Sequence, residues 1–220
     1  SVIMNGYLYV WGGCSNATGS GCTSVSQGVI YTSVNTDGSL TKPTSCGSFT
    51  GLANSSWCYK STSLPGRVGA PGVAVANGII YSVGGFTASG MVGNIYYASP
   101  NPTDGSIDSW ATTALAGGGA GATSVSYPYV FVRANPSSAG SAPFNMYIMG
   151  GCIGATGLGC PSVGGYTPDV YKCNISTAGL VSGCSTSGQM QIGTVTGASS
   201  AGLGAMAGTV YANYIYLMGG

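Results

Sequence analysis

The sequence predicts an all-β fold: about three complete four-stranded antiparallel units in tandem, then two further strands. Three observations lead there. First, Tyr-x-x-Gly-Gly occurs four times, at Tyr9-Val-Trp-Gly12-Gly13, Tyr81-Ser-Val-Gly84-Gly85, Tyr147-Ile-Met-Gly150-Gly151 and Tyr216-Leu-Met-Gly219-Gly220, at intervals of 66 to 72 residues. Second, each copy ends a short aromatic or β-branched run, a composition that suits a pleated, half-buried surface. A glycine pair at the end of such a run permits positive φ and close backbone approach. Third, turn dipeptides sit at matching places around these runs, Asn5-Gly6 and Asn77-Gly78 before them and Asp37-Gly38 and Asp104-Gly105 beyond them. Four copies at a near-fixed period indicate a repeat architecture.

The second unit shows the pattern most plainly. Gly72-Val-Ala-Val-Ala reads as a strand, and Asn77-Gly78 suits the type I′ hairpin turn, which needs positive φ at both central residues. Ile79-Ile-Tyr-Ser-Val returns as the second strand and stops at Gly84-Gly85. After a loop from Phe86 to Gly93, Asn94 to Ser99 forms the third strand. Asp104-Gly105 turns the chain, and Ser106 to Trp110 opens the fourth strand. The first unit repeats this with Ser1 to Met4, Tyr7 to Trp11, Val29 to Val34, the Asp37-Gly38 turn and Ser39-Leu40. A long loop then leads to Leu64-Pro65-Gly66-Arg67. In the third unit the first strand is Val125 to Val132, an insertion from Ala134 to Pro143 replaces the hairpin turn, and the third strand is Asp169 to Cys173. Ala178-Gly179 holds the Asp-Gly place there. The fourth unit gives two strands between Ala205 and Gly220. The expected total is about fourteen strands and no helix.

Strand, Asn-Gly turn, strand, double glycine, Tyr-bearing strand, turn, Trp and Leu-Pro-x-Arg together resemble the kelch β-propeller repeat. The resemblance rests on Asn77-Gly78, Tyr81, Gly84-Gly85, Tyr97, Trp110 and Leu64 to Arg67, and it covers nearly the whole chain. It implies a single propeller domain over residues 1–220, with blades at about 1–70, 71–122 and 123–203 and an incomplete one at 204–220. The period exceeds the roughly 50 residues of a kelch repeat, because the loops are long. Propellers typically close with four to eight blades. The resemblance therefore implies part of a larger propeller, its edges covered by further blades of the same chain or of a neighbouring copy. The chain opens inside a strand-like run, which reads as a processed or incomplete N-terminus.

Composition narrows the function. The chain has five basic and four acidic residues, no His and no Glu, against about a quarter charged residues in ordinary domains. A net charge of +1 argues against nucleic acid, which demands several phosphate-neutralising bases on one surface. No apolar run is long enough to span a membrane. The eight cysteines fall into neighbouring pairs: Cys14 with Cys22, Cys46 with Cys58, Cys152 with Cys160 and Cys173 with Cys184. The first and third pairs directly follow a double glycine at the same spacing, which favours pairing between neighbours. A metal site would need His or C-x-x-C spacing, so none is expected, and no cofactor. Disulfides point to an extracellular or cell-surface location. Sequons at Asn16, Asn54 and Asn174, each in or beside a cysteine-rich loop, are candidate glycosylation sites.

Catalysis has little to work with. Asp37 and Asp104 occupy equivalent turns, where turn chemistry accounts for them. Galactose-oxidase-like propellers, which kelch folds resemble, hold copper with His, and sialidase-like ones use an Arg cluster that two arginines cannot supply. The expected role is a structural, adhesive or glycan- and protein-binding propeller, in a filament or layer or against neutral glycans. The alternative is the propeller domain of a secreted enzyme whose catalytic residues lie outside this segment. The repeated tyrosines read as packing between blades or as an aromatic platform for sugars. Trp11, which stands where the other units have Val or Met, and Trp57, beside Cys58, are the candidate sugar-stacking residues.

Overall fold

The computed structural model describes residues 1–18, 21–43, 46, 55–60, 64–87, 89–115, 124–138, 140, 142–153, 165–190, 204, 206–212 and 214–218. Among them are nineteen strands and no helix. In the first unit β1 (Val2–Met4) and β2 (Tyr7–Trp11) form a hairpin. A side hairpin of β3 (Cys14–Thr18) and β4 (Gly21–Val25) follows, and β5 (Val29–Val34) pairs with β2. The outer strand is divided into β6 (Leu40–Thr41) and β7 (Cys58–Lys60), which pair with opposite ends of β5. The second sheet runs β8 (Gly72–Ala76), β9 (Ile79–Val83), then, past the side hairpin of β10 (Phe86–Thr87) and β11 (Gly90–Met91), β12 (Asn94–Ala98) and β13 (Ala111–Ala114). The third is a meander of β14 (Tyr129–Ala134), β15 (Phe144–Met149), β16 (Asp169–Ile175) and β17 (Val181–Gln189). The last two strands, β18 (Ala207–Tyr211) and β19 (Tyr214–Met218), pair only with each other among the described residues. Among the described residues every pairing is antiparallel, and the sheets form no closed barrel or closed propeller.

Local chemistry explains these elements. Asn5 and Gly6, and again Asn77 and Gly78, all have positive φ, which the mirror-image hairpin turn requires. Asp37 Oδ1 accepts from the Ser39 N–H and Asp104 Oδ1 from the Ser106 N–H, both at 2.9 Å, so each carboxylate caps its own turn. Four details differ from the sequence-based expectation. The loops after Gly13 and Gly85 carry the side hairpins, and the first outer strand is split, which raises the strand count above fourteen. The fourth strand of the second sheet begins after Trp110, at Ala111, and Ser106 to Trp110 belongs to the turn segment before it. The first strand of the third sheet begins at Tyr129, because Tyr127 has a φ of 56° directly before Pro128 and breaks the extended run.

The core lies between sheets. One cluster joins Tyr9, Trp11, Val29 and Tyr31 of the first sheet to Ile80, Tyr96 and Ile107 of the second unit. Another joins Tyr81, Val83 and Ile95 to Met146, Ile148 and Tyr171 of the third sheet. Strand β9 feeds both clusters and is buried at all five residues, so it lacks the polar alternation of a one-sided strand. At about 1.5–3 kcal/mol per large apolar side chain removed from water, these two seams are the main drive for stacking the sheets. The first strands stand side by side, β8 next to β1 and to β14.

The double glycines tie the stack together. The first glycine binds its own sheet: the Gly12, Gly84 and Gly150 N–H groups donate to the carbonyls of Gly28, Asn94 and Asp169 at 3.3, 2.9 and 3.1 Å. The second glycine reaches the segment that leads into the next unit's first strand, with Gly13 N–H donating to Val68 O at 3.0 Å and Gly85 N–H to Val125 O at 2.7 Å. Val68 and Val125 are fully buried and open matching segments, Val68 to Pro71 and Val125 to Pro128. In each, the residue before proline has positive φ, 43° at Ala70 and 56° at Tyr127. A Cβ on Gly84 would lie 2.1 Å from Val125 O, and one on Gly12 2.5 Å from Val68 O. Gly219 and Gly220 lie outside the described residues.

Candidate functional site

A second set of bonds makes each junction between units a composite surface. The tyrosine of the motif donates its hydroxyl to the turn glycine of the following unit. Tyr9 Oη lies 2.9 Å from Gly105 O, and Tyr81 Oη lies 3.1 Å from Gly179 O. Both turns pack against the preceding second strand, Gly105 against the Tyr7 ring and Gly179 against Ile79. Tyr147 stacks on Phe131 at 4.9 Å, and its hydroxyl has no partner among the described residues. Burial raises the Tyr9 and Tyr81 phenols well above the ordinary tyrosine range, with neighbouring tyrosines adding to it. Burial and the Asp169 carboxylate beside it push Tyr171 up to about 12. Hydrogen bonds from the Ser39 hydroxyl and amide hold the exposed Asp37 carboxyl below its usual range.

The candidate sugar-stacking residues part company. Trp11 is 6% exposed and packs edge to face on Trp110 at 6.0 Å, so its ring is spent in the core and offers no platform. Its Nε1–H, like that of Trp110, is buried without a partner among the described residues. Trp57 is half-buried just before β7. Trp57 adjoins Cys58, which shares the core cluster of Trp11.

The cysteines staple the outer strands. Cys46 bonds to Cys58 and closes the insertion that divides the outer strand into β6 and β7. Cys173 bonds to Cys184 across β16 and β17, at the register shift beside Gly183, so this pair links two adjacent strands. Cys14 and Cys152 are also disulfide-bonded. Cys160 and the side chain of Cys22 lie outside the described residues. Disulfides of this kind are typical of extracellular proteins. Among the described residues no cluster of His, Cys, Asp or Glu could hold a metal ion, and no helix is long and apolar enough to cross a membrane.

Of the sequons, Asn174 is half-buried on β16, paired on both sides with Asn145 and Ser182, and so sits within a sheet instead of beside a loop. Asn16 lies on β3, its side chain outside the described set, and Asn54 lies outside it altogether. The functional feature that sequence reasoning missed is the junction itself. Its signal was the co-occurrence of the motif tyrosine in one unit with the turn glycine in the next. No family model matches the chain, and no curated protein matches it.

Proposed function

We propose that this chain is a non-catalytic extracellular or cell-surface module. In this reading its units are kelch-like propeller blades that present cystine-stapled loops for structural or adhesive contact. Further blades, from the same chain or a neighbouring copy, complete the array, and neutral glycans or surface proteins are its ligands. The observation that carries the reading is the repeated junction. Tyr9, Tyr81, Gly13 and Gly85 join one unit to the next, and Asp37 and Asp104 cap their own turns, which directs the repeat toward architecture and away from chemistry. A surface with nine formal charges in 220 residues has weak long-range fields. Its contacts are then short-ranged, made by backbone, hydroxyl and aromatic groups. The test is to offer the purified chain a panel of neutral polysaccharides and surface proteins, measuring binding and turnover in parallel. The reading predicts binding that barely changes between low and physiological salt and no product. Product formation, or binding that collapses over that salt range, overturns it.

A further inference from the structure

The first junction holds a cavity of about 250 Å³ that the interlocking bonds leave open. We propose that it binds one ring of a neutral saccharide. One wall comes from the first sheet. Tyr7 opens β2, Ser33 is its register partner on β5, Thr41 ends the first half of the divided outer strand, and Lys42 and Pro43 follow it. The opposite wall is the turn of the second unit, with Thr103 and Asp104. The Tyr7 hydroxyl donates to Thr103 O at 2.8 Å and fixes the two walls relative to each other.

The lining suits a polyol. Asn35 Nδ2 donates to Ser39 Oγ at 2.9 Å and to Thr41 Oγ1 at 2.7 Å. Both amide hydrogens are thus used, which leaves the amide oxygen to accept from a ligand and the Thr41 hydroxyl hydrogen to donate. Lys42 supplies further donors and the Asp104 carboxylate further acceptor positions. With one ammonium and one carboxylate on the same cavity, a ligand of either net charge meets a like charge, whereas a neutral polyol uses both. Pro43 and the Tyr7 ring give the apolar patch that the C–H face of a sugar requires. The volume falls below the roughly 300–1,000 Å³ of sites for larger ligands and fits a single ring.

The repeat supplies an internal control. The second junction keeps the architectural bond, Tyr81 to Gly179, as the first keeps Tyr9 to Gly105. It replaces the lining: Ile79 stands in the place of Tyr7 and Ala178 in that of Asp104. The polar lining is therefore not a requirement of the junction.

The inference rests on the surface-module reading but names one pocket, and the experiment separates the two. Methyl glycosides of glucose, galactose and mannose are titrated into the purified chain, followed by NMR shifts. Glycine and glucuronate serve as zwitterionic and anionic probes. At least one neutral glycoside should bind with a Kd on the order of millimolar. Thr41→Val combined with Lys42→Met, two side chains outside the core, should weaken it about fivefold or more with an unchanged circular dichroism spectrum. Ala178→Asp at the second junction should leave it unaltered. No shift with any neutral glycoside, equal binding by the double variant, or preference for glycine or glucuronate overturns the site. Turnover of a bound glycan would instead refute the non-catalytic reading and leave the pocket standing.

Discussion

Replacing Gly84 by Ala tests the junction most selectively, because a matched control exists in the same unit. Gly84 has a φ of 62° and Gly78 a φ of 74°, so alanine at either position bears similar backbone strain, roughly 1–2 kcal/mol. Their surroundings differ. A Cβ at Gly78 meets nothing within 4 Å, whereas one at Gly84 meets Val125 O at 2.1 Å. That oxygen is backbone and accepts the Gly85 N–H at 2.7 Å, so it cannot swing aside as a flexible side chain would. Relief requires the Val125 segment to retreat, which breaks this bond and strands a donor, at about 1–3 kcal/mol, and opens the buried contact of Val125. The expected loss is therefore about 3–5 kcal/mol for Gly84→Ala against about 1–2 kcal/mol for Gly78→Ala. Urea unfolding of both variants, followed by tryptophan fluorescence and circular dichroism, measures the difference. Equal losses would refute the argument that Gly84 is fixed by the neighbouring unit.

Tyr81→Phe removes a buried hydrogen bond to Gly179 O and should lower stability by about 1–2 kcal/mol, while Tyr147→Phe should stay within about 0.5 kcal/mol; parallel thermal melts check both. For pH, the Tyr9, Tyr81 and Tyr171 pKa values are raised on folding, so their contribution is complete below the unfolded value near 10 and is lost as pH rises toward the folded values. Unfolding free energies from urea titration should fall from about pH 10 upward, by roughly 1 kcal/mol per buried tyrosine at pH 11, and a value unchanged to pH 11 contradicts this. Trp11→Phe discards a buried N–H that has no partner among the described residues, together with some volume, so it should cost about 1 kcal/mol or less, against about 3–5 kcal/mol for Trp11→Ala, as denaturant titration would show.

The strands and hairpin turns were legible because their causes are local. Asn77-Gly78 announces its own turn conformation, and Ile79 to Val83 announces a strand. What escaped the sequence depends on residues far apart. The second glycine of the first two pairs points to a carbonyl some 40 to 55 residues away, and only the similarity of Val68-Gly-Ala-Pro71 to Val125-Ser-Tyr-Pro128 hints at it. The strand break at Tyr127 follows from a positive φ that a tyrosine rarely adopts. Trp11 looked available for a sugar because Trp110, which covers it, belongs to the next unit. The division of the outer strand by the insertion ending at Cys58 was invisible because both halves pair with one strand, β5. The pocket at the first junction escaped for the same reason, since Tyr7, Asn35, Lys42 and Asp104 meet only after the turn of the second unit docks on the first.

Native-state hydrogen exchange at the Gly13 and Gly85 amides tests the central claim, that the double glycines fasten each sheet to the next. If they do, both amides exchange as slowly as those of Ile80 and Val83 in the core, opening only with global unfolding. Exchange at the rate of an exposed turn such as Gly38, with the strand amides still protected, would mean that the sheets are not joined there.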